Sequence, residues 1–246
     1  MQSKMRIPGV MLVGTDTEVG KTFVACRLIE QWVSQGARVG AYKPVASGAL
    51  SQDSSDASLL WLASGRLGTL EQVNPQSFSA PLAPPMAAEL EGREVDDERI
   101  VDGAVAWKSE CDFLVVEGAG GLMSPISWKM TNASLAQKLQ LPLILVAPNK
   151  LGVVSQVLTT LTAAKALKLR IPYVVLNDTR AAKSTSTLSM NLPQVADCSV
   201  ESNFRLLTKF LSEQWREPPK VIRLAFGRSR MNPPIQMEEL IGTDPA

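Results

Sequence analysis

The sequence contains no histidine. Without imidazole the chain has no Ser-His or Cys-His relay, no histidine general base and no His-ligated zinc. Proton transfer and charge stabilisation then fall to lysine, aspartate, glutamate and backbone groups. Cysteine is scarce as well: Cys26, Cys111 and Cys198 lie far apart with no CxxC pair. They read as free, buried thiols of a reducing compartment, not as a redox couple or zinc knuckle. Neither sign of charge is in excess, with 25 Lys+Arg against 24 Asp+Glu and a formal charge of +1. The molecule as a whole therefore carries no field that would gather nucleic acid or anionic lipid, and any anion site must be local. No apolar run approaches the roughly 18 residues of a membrane span, and the run near the N-terminus is too short for a signal segment. A soluble, cytoplasmic protein is expected.

What is present is an ordinary globular composition, 45% apolar and 20% charged over 246 residues. This length suits one α/β domain, residues 1–246, whose core needs neither disulfides nor structural metal. Short runs rich in Val, Ile and Leu at 10–13, 113–116, 143–147 and 173–176, with a weaker run at 38–42, suit strands covered on both faces. Helix-like stretches at 22–35, 56–63, 96–108, 133–139 and 153–167 fall between them. The alternation predicts a doubly wound, mainly parallel sheet with helices on both faces. Residues 65–92, with four prolines, read as an irregular loop of the kind that sits over a site. Residues 203–215 place Phe204, Leu207 and Leu211 on one face of a packed helix.

The first strand runs directly into Gly14-Thr15-Asp16-Thr17-Glu18-Val19-Gly20-Lys21-Thr22, and a helix follows. A phosphate cradle needs inward-turned backbone N–H groups, a helix N-terminus, a lysine for the outer phosphates and a hydroxyl for Mg²⁺. Gly20, Lys21 and Thr22 stand in those roles, so the sheet is expected to be of the P-loop NTPase type. The spacing is one residue longer than the usual pattern, because Gly14 stands six positions before Gly20. Asp16 occupies the place where partition and septum-positioning ATPases carry a second signature lysine, which argues against a nucleotide switch of that kind.

Mg²⁺ takes oxygen ligands, commonly one or two carboxylates beside the loop hydroxyl. Glu117 ends an apolar strand and opens Gly118-Ala119-Gly120-Gly121, which places it at the carboxyl edge, where open α/β sheets bind ligands. Asp56 follows Asp53-Ser54-Ser55 at the start of a helix. There it suits either a metal ligand or an ordinary first-turn acid or N-cap, and pattern leaves both open. Lys43, in Tyr42-Lys43-Pro44-Val45-Ala46-Ser47-Gly48, also leaves a strand at that edge. A lysine beside a triphosphate can stabilise charge developing in phosphoryl transfer.

These blocks, together with Ser55-Asp56-Ala57, Lys150-Leu151-Gly152 and Asn177-Asp178, resemble the dethiobiotin synthetase family in its order, over about residues 8 to 178. The resemblance implies ATP- and Mg²⁺-dependent closure of a cyclic urea on diaminopelargonic acid with CO₂, through a carbamate and a carbamic-phosphoric mixed anhydride. It carries nucleotide contacts onto Thr17, Glu18, Val19, Gly20, Lys21, Thr22, Phe23, Asp56, Glu117, Gly118, Ala119, Gly120, Asn177 and Asp178, with Asn177 reading adenine. Metal ligation falls on Thr22, Asp56 and Glu117, and catalysis on Lys43 and Lys21. Ser47 becomes a substrate contact. Gly152 and Val153, at a helix start, would receive the substrate carboxylate of a neighbouring subunit, which implies a homodimer.

The chain departs from the family at Ser155-Gln156 and at Ala83-Pro84-Pro85, where histidines are usual, and it lacks the Gly-x-Ile-Pro segment that closes over adenine. An amide-forming synthetase for a corrin acid shares the P-loop, but it appends a glutaminase with Cys and His for which this chain has no room. An inactive relative is the remaining alternative.

Overall fold

The computed structural model describes residues 7–48, 55–179, 199–228 and 231–241. Cys198, Asp53 and Ser54 lie outside them. Six strands form one sheet: β1 (Gly9–Gly14), β2 (Val39–Tyr42), β5 (Phe113–Gly121), β6 (Leu143–Pro148), β7 (Tyr173–Asn177) and β8 (Lys220–Leu224). Their spatial order is β2-β5-β1-β6-β7-β8, and every neighbouring pair is parallel. All residues of β1, β2, β6 and β7 are buried, as expected of strands covered on both faces.

Helix α1 (Lys21–Ser34) turns Val24, Ala25, Leu28, Ile29 and Trp32 inward and packs on β1, β2 and β5. These positions recur every three to four residues, the spacing of one helical face. Helix α2 (Asp56–Ala63) is capped by the Ser55 side chain, which accepts from Ser58 N. Asp56 is thus its first residue. Helix α5 (Asp97–Ala106) starts at the Asp96 cap and gives way to a 3₁₀ turn at Trp107–Ser109. Helix α6 (Asn132–Leu139) precedes β6, α7 (Val153–Ala166) precedes β7, and α8 (Ser199–Gln214) precedes β8.

Two expectations are corrected, and one strand was not foreseen. The 65–92 segment is not irregular. It folds into α3 (Leu70–Val73), a two-residue strand β4 (Ser77–Phe78) paired in parallel with β3 (Ala46–Ser47), and α4 (Pro84–Leu90). Its prolines mark a helix start: Pro84 and Pro85 open α4, where a missing N–H costs nothing. In α8 the buried positions are Asn203, Leu207 and Leu211, whereas Phe204 stands on the exposed side. Strand β8 lies beyond the last periodic stretch of the sequence, and its alternating, partly exposed pattern is that of an edge strand. The residues after it clasp the domain: Ile235 O accepts from Trp32 Nε1 at 3.1 Å, and Glu239 pairs with Lys220 and hydrogen-bonds Tyr173. Among the described residues no helix is long and apolar enough to cross a membrane.

Candidate active site

The phosphate loop leaves β1 at the carboxyl edge of the sheet. Glu18 and Gly20 adopt left-handed backbone, φ 53° and 87°, and the loop curls before α1 begins. No side chain caps α1, so the first N–H groups of that helix are left to an anion. Gly20 must be glycine on two counts: its φ is positive, and a Cβ there would stand 2.2 Å from Asn177 Nδ2. Lys21 is buried, and its Nζ donates to Asp16 O at 3.4 Å. Burial lowers its pKa, with Glu117 opposing that effect. A phosphate would give this desolvated cation an anionic partner.

The register of β2 and β5 pairs Tyr42 with Val116, which brings the next residues, Lys43 and Glu117, side by side. Lys43 Nζ donates to Glu117 Oε1 and to Asp56 Oδ2, both at 2.6 Å. Burial by itself would lower the lysine pKa, but Glu117 and Asp56 outweigh it and hold the ammonium charged. For Asp56, burial pushes the carboxyl pKa up, while Lys43, Thr22 and Lys21 bring it below its ordinary value. Thr22 Oγ1 donates to Glu117 Oε1 at 2.9 Å. The second carboxylate oxygen, Glu117 Oε2, is buried with no hydrogen-bond partner.

These groups line a cavity of about 890 Å³. Of the residues singled out from sequence, Thr17, Glu18, Gly20, Lys21, Thr22, Phe23, Lys43, Ser47, Asp56, Glu117, Gly118, Ala119 and Gly120 face it. Ser47 spends its hydroxyl proton on Leu82 O at 2.7 Å, which leaves its lone pairs to accept from an amine. Val19 is buried behind the loop. Asn177 does not line the cavity; it lies under the loop and donates to Val19 O at 3.0 Å. Asp178 is engaged elsewhere, pairing with Arg223 at 2.9 Å and accepting from Asn149 Nδ2 at 2.8 Å. Gly152 and Val153 also lie off this cavity: Gly152 is exposed at the uncapped start of α7 and Val153 is buried in the core. No residue of the 65–92 segment lines the cavity either, although it braces the Ser47 edge.

Sequence reasoning missed the outer wall of the cavity, where Cys26, Arg27 and Glu30 of α1 meet Leu59, Leu62 and Ala63 of α2. A signal was available in α2, where Leu59 and Leu62 are apolar yet lie off its buried face. Burial, reinforced by Glu117, pushes the Cys26 thiol up to about 12, so it is a protonated wall group and no nucleophile.

A strand, an uncapped glycine loop and a buried lysine at the carboxyl edge of a parallel sheet define a P-loop nucleotide-binding protein. A family profile described as an AAA domain matches residues 8–212. The ATP-dependent dethiobiotin synthetase BioD of Rhodopirellula baltica is 41% identical, the match covering 74% of this chain and 77% of the relative. That of Anaeromyxobacter dehalogenans (strain 2CP-1) is 39% identical over 81% of this chain and 89% of the relative. Among solved structures, the cell division protein ftsY of Thermotoga maritima aligns with 98% of this chain and 71% of its own, at 16% identity and a TM-score of 0.45. The chain belongs to the ATP-dependent dethiobiotin synthetase family, and is with it an ATP-dependent ligase that forms C–N bonds.

Proposed function

We propose that the chain, acting as a single P-loop domain, closes the ureido ring of diaminopelargonic acid with CO₂ and ATP in the cytoplasm. The observation that carries this reading is the Lys43 ammonium, held between Asp56 and Glu117 at 2.6 Å from each, in the same cavity as the phosphate loop. One substrate amine takes up CO₂ as a carbamate. A carbamate oxygen attacks the γ-phosphorus, ADP leaves, and the second amine displaces phosphate from the mixed anhydride to close the ring. Lys21 and the loop N–H groups hold the phosphates, Lys43 neutralises charge on the carbamate and the transferring phosphoryl group, and Ser47 accepts from an amine. No step calls for an imidazole. Thr17, Phe23 and Gly118 are proposed to line the bound reactants, while Val19 and Asn177 support the loop from behind.

Mg²⁺ fits the oxygen donors present: the Thr22 hydroxyl and the Asp56 and Glu117 carboxylates, with Glu117 Oε2 buried and unpartnered. Among the described residues no group of three or more His, Cys, Asp or Glu side chains gathers, so phosphate oxygens and water must complete such a shell. When bound, the ion would polarise the phosphates for transfer. The open start of α7 at Gly152, which does not line the cavity of its own chain, supports a homodimer in which it serves a second copy.

The test is phosphate release from Mg-ATP and bicarbonate, with and without diaminopelargonic acid. Release that requires both the diamine and bicarbonate, together with dethiobiotin by mass spectrometry, supports the reading. Hydrolysis indifferent to the diamine overturns it.

A further inference from the structure

Asn132 is the first residue of α6, and none of it reaches solvent (0% exposed). Its Nδ2 donates to Ala119 O and to Gly121 O, each at 2.7 Å, which uses both hydrogens of the amide. Its Oδ1 has no hydrogen-bond partner and would lie 2.5 Å from a Cβ at Gly118, so the backbone there can pass only as glycine. Asn132 is itself fixed: its N–H donates to Ser124 O at 3.2 Å, and Thr131 caps the helix through Ser134 N.

The end of β5 held in this way forms one wall of the cavity through Gly118, Ala119 and Gly120, directly after Glu117. A trans peptide is planar, with its N–H opposite its C=O. Because the Ala119 carbonyl is drawn to Asn132, the Gly120 N–H of the same peptide is directed away from Asn132, and both Ala119 and Gly120 line the cavity. The next N–H, of Gly121, is spent on Ser124 Oγ at 2.8 Å. Gly120 has φ +78°, and a Cβ on it would stand 2.6 Å from Ser124 Oγ and 3.7 Å from the Thr17 methyl, so it passes between the Ser124 turn and the phosphate loop.

We infer that Asn132 is a positioning residue: by clamping the carbonyls of Ala119 and Gly121, it aims the Gly120 N–H at an anionic oxygen of the transferring phosphoryl group. The inference rests on the phosphoryl-transfer reading above for the nature of that anion. It predicts an effect on the reacting group and little on ground-state nucleotide binding, since Lys21, Thr22 and the α1 N-terminus do not depend on Asn132.

The test compares the unaltered protein with Asn132→Leu, which keeps the branching and loses both donors, and Asn132→Asp, which replaces them by acceptors. In both variants kcat should fall by at least about tenfold while the Kd for Mg-ATP stays within about threefold, the pattern of a lost transition-state contact. Affinity for Mg-ADP with aluminium fluoride, a mimic of the transferring phosphoryl group, should fall by about tenfold, with Mg-ADP alone unaffected. A folded Asn132→Leu protein with unchanged kcat and unchanged aluminium fluoride affinity overturns the inference. Should that variant fail to fold, the Gly120 amide resonance of ¹⁵N-labelled unaltered protein decides. It should move when aluminium fluoride joins Mg-ADP, and a stationary resonance overturns the inference. An unaltered protein that ignores diaminopelargonic acid sinks the substrate assignment alone, because the aluminium fluoride comparison does not involve that substrate.

Discussion

Lys43 and Glu117, 74 residues apart in the chain, form a buried ion pair at 2.6 Å because β2 and β5 are parallel neighbours in register. Neither carboxylate contact of Lys43 is local: Glu117 arrives on a strand, Asp56 on the first turn of α2. The same Glu117 oxygen also accepts from Thr22, so the start of α1 and the exit of β2 meet on one carboxylate of β5, and α2 joins them through Asp56 on Lys43.

Lys43→Met should abolish turnover, lowering kcat by at least about 100-fold, because the charge that offsets the transferring phosphoryl group is gone. Nucleotide affinity should change little. Removing one member of a buried pair leaves Glu117 uncompensated, at about 3–5 kcal/mol. The melting temperature of the nucleotide-free variant should fall accordingly. Phosphate release, nucleotide titration calorimetry and a thermal scan on one preparation check all three.

Glu117→Gln retains shape but removes the charge. ATP binding in the presence of Mg²⁺ should weaken by roughly tenfold, whereas binding in excess chelator should not change, since only the metal-dependent part of the affinity uses the carboxylate. Equal weakening under both conditions would assign Glu117 a purely structural role.

Gly20→Ala should damage the phosphate loop twice over. The residue sits at φ 87°, and the added Cβ would stand 2.2 Å from Asn177 Nδ2, which holds Val19 O. A cost of about 1–3 kcal/mol is expected from the backbone strain. Loss of Mg-ATP binding with a lowered melting temperature, measured side by side with Asn177→Ala, would show whether the collision or the backbone dominates.

The C-terminal clasp should be sensitive to acid. Hydrogen bonds from Lys220 and Tyr173 hold the Glu239 carboxyl below its ordinary value. With the folded pKa depressed, the stabilisation is fully present above the unfolded value of about 4.3 and fades as pH falls through the folded one. Glu239→Gln should therefore lower the melting temperature at neutral pH, with the difference from the unaltered protein closing as pH drops below about 4. A difference that persists unchanged to low pH would show that the clasp does not depend on this charge.

Much of the fold was legible one element at a time. The strands at 10–13 and 143–147 are apolar on both faces, and only a sheet covered on both sides buries such runs, so their type and parallel pairing followed from pattern. Strand β8 was not legible, because Lys220 and Arg223 interrupt its apolar pattern, as an edge position permits. Nor were α3 and α4. A helix as short as Leu70–Val73 carries no period, and its stability comes from the Thr69–Gln72 capping box and from packing.

By itself the sequence determined the chemistry on offer. It supplies no imidazole, a Gly-Lys-Thr at a strand-to-helix turn, and a lysine and a glutamate each at the end of an apolar run, because these depend on residue identity and on local geometry. Tertiary structure decided the partnerships. The sheet order set Lys43 against Glu117, the Asn177 amide went to the Val19 carbonyl, and Asp178 was spent on Arg223 and Asn149. Asn132 in particular carries no signal in the chain, since an asparagine at a helix start is ordinary. Its burial and its two 2.7 Å bonds to the 119–121 backbone arise only when α6 is packed against the end of β5.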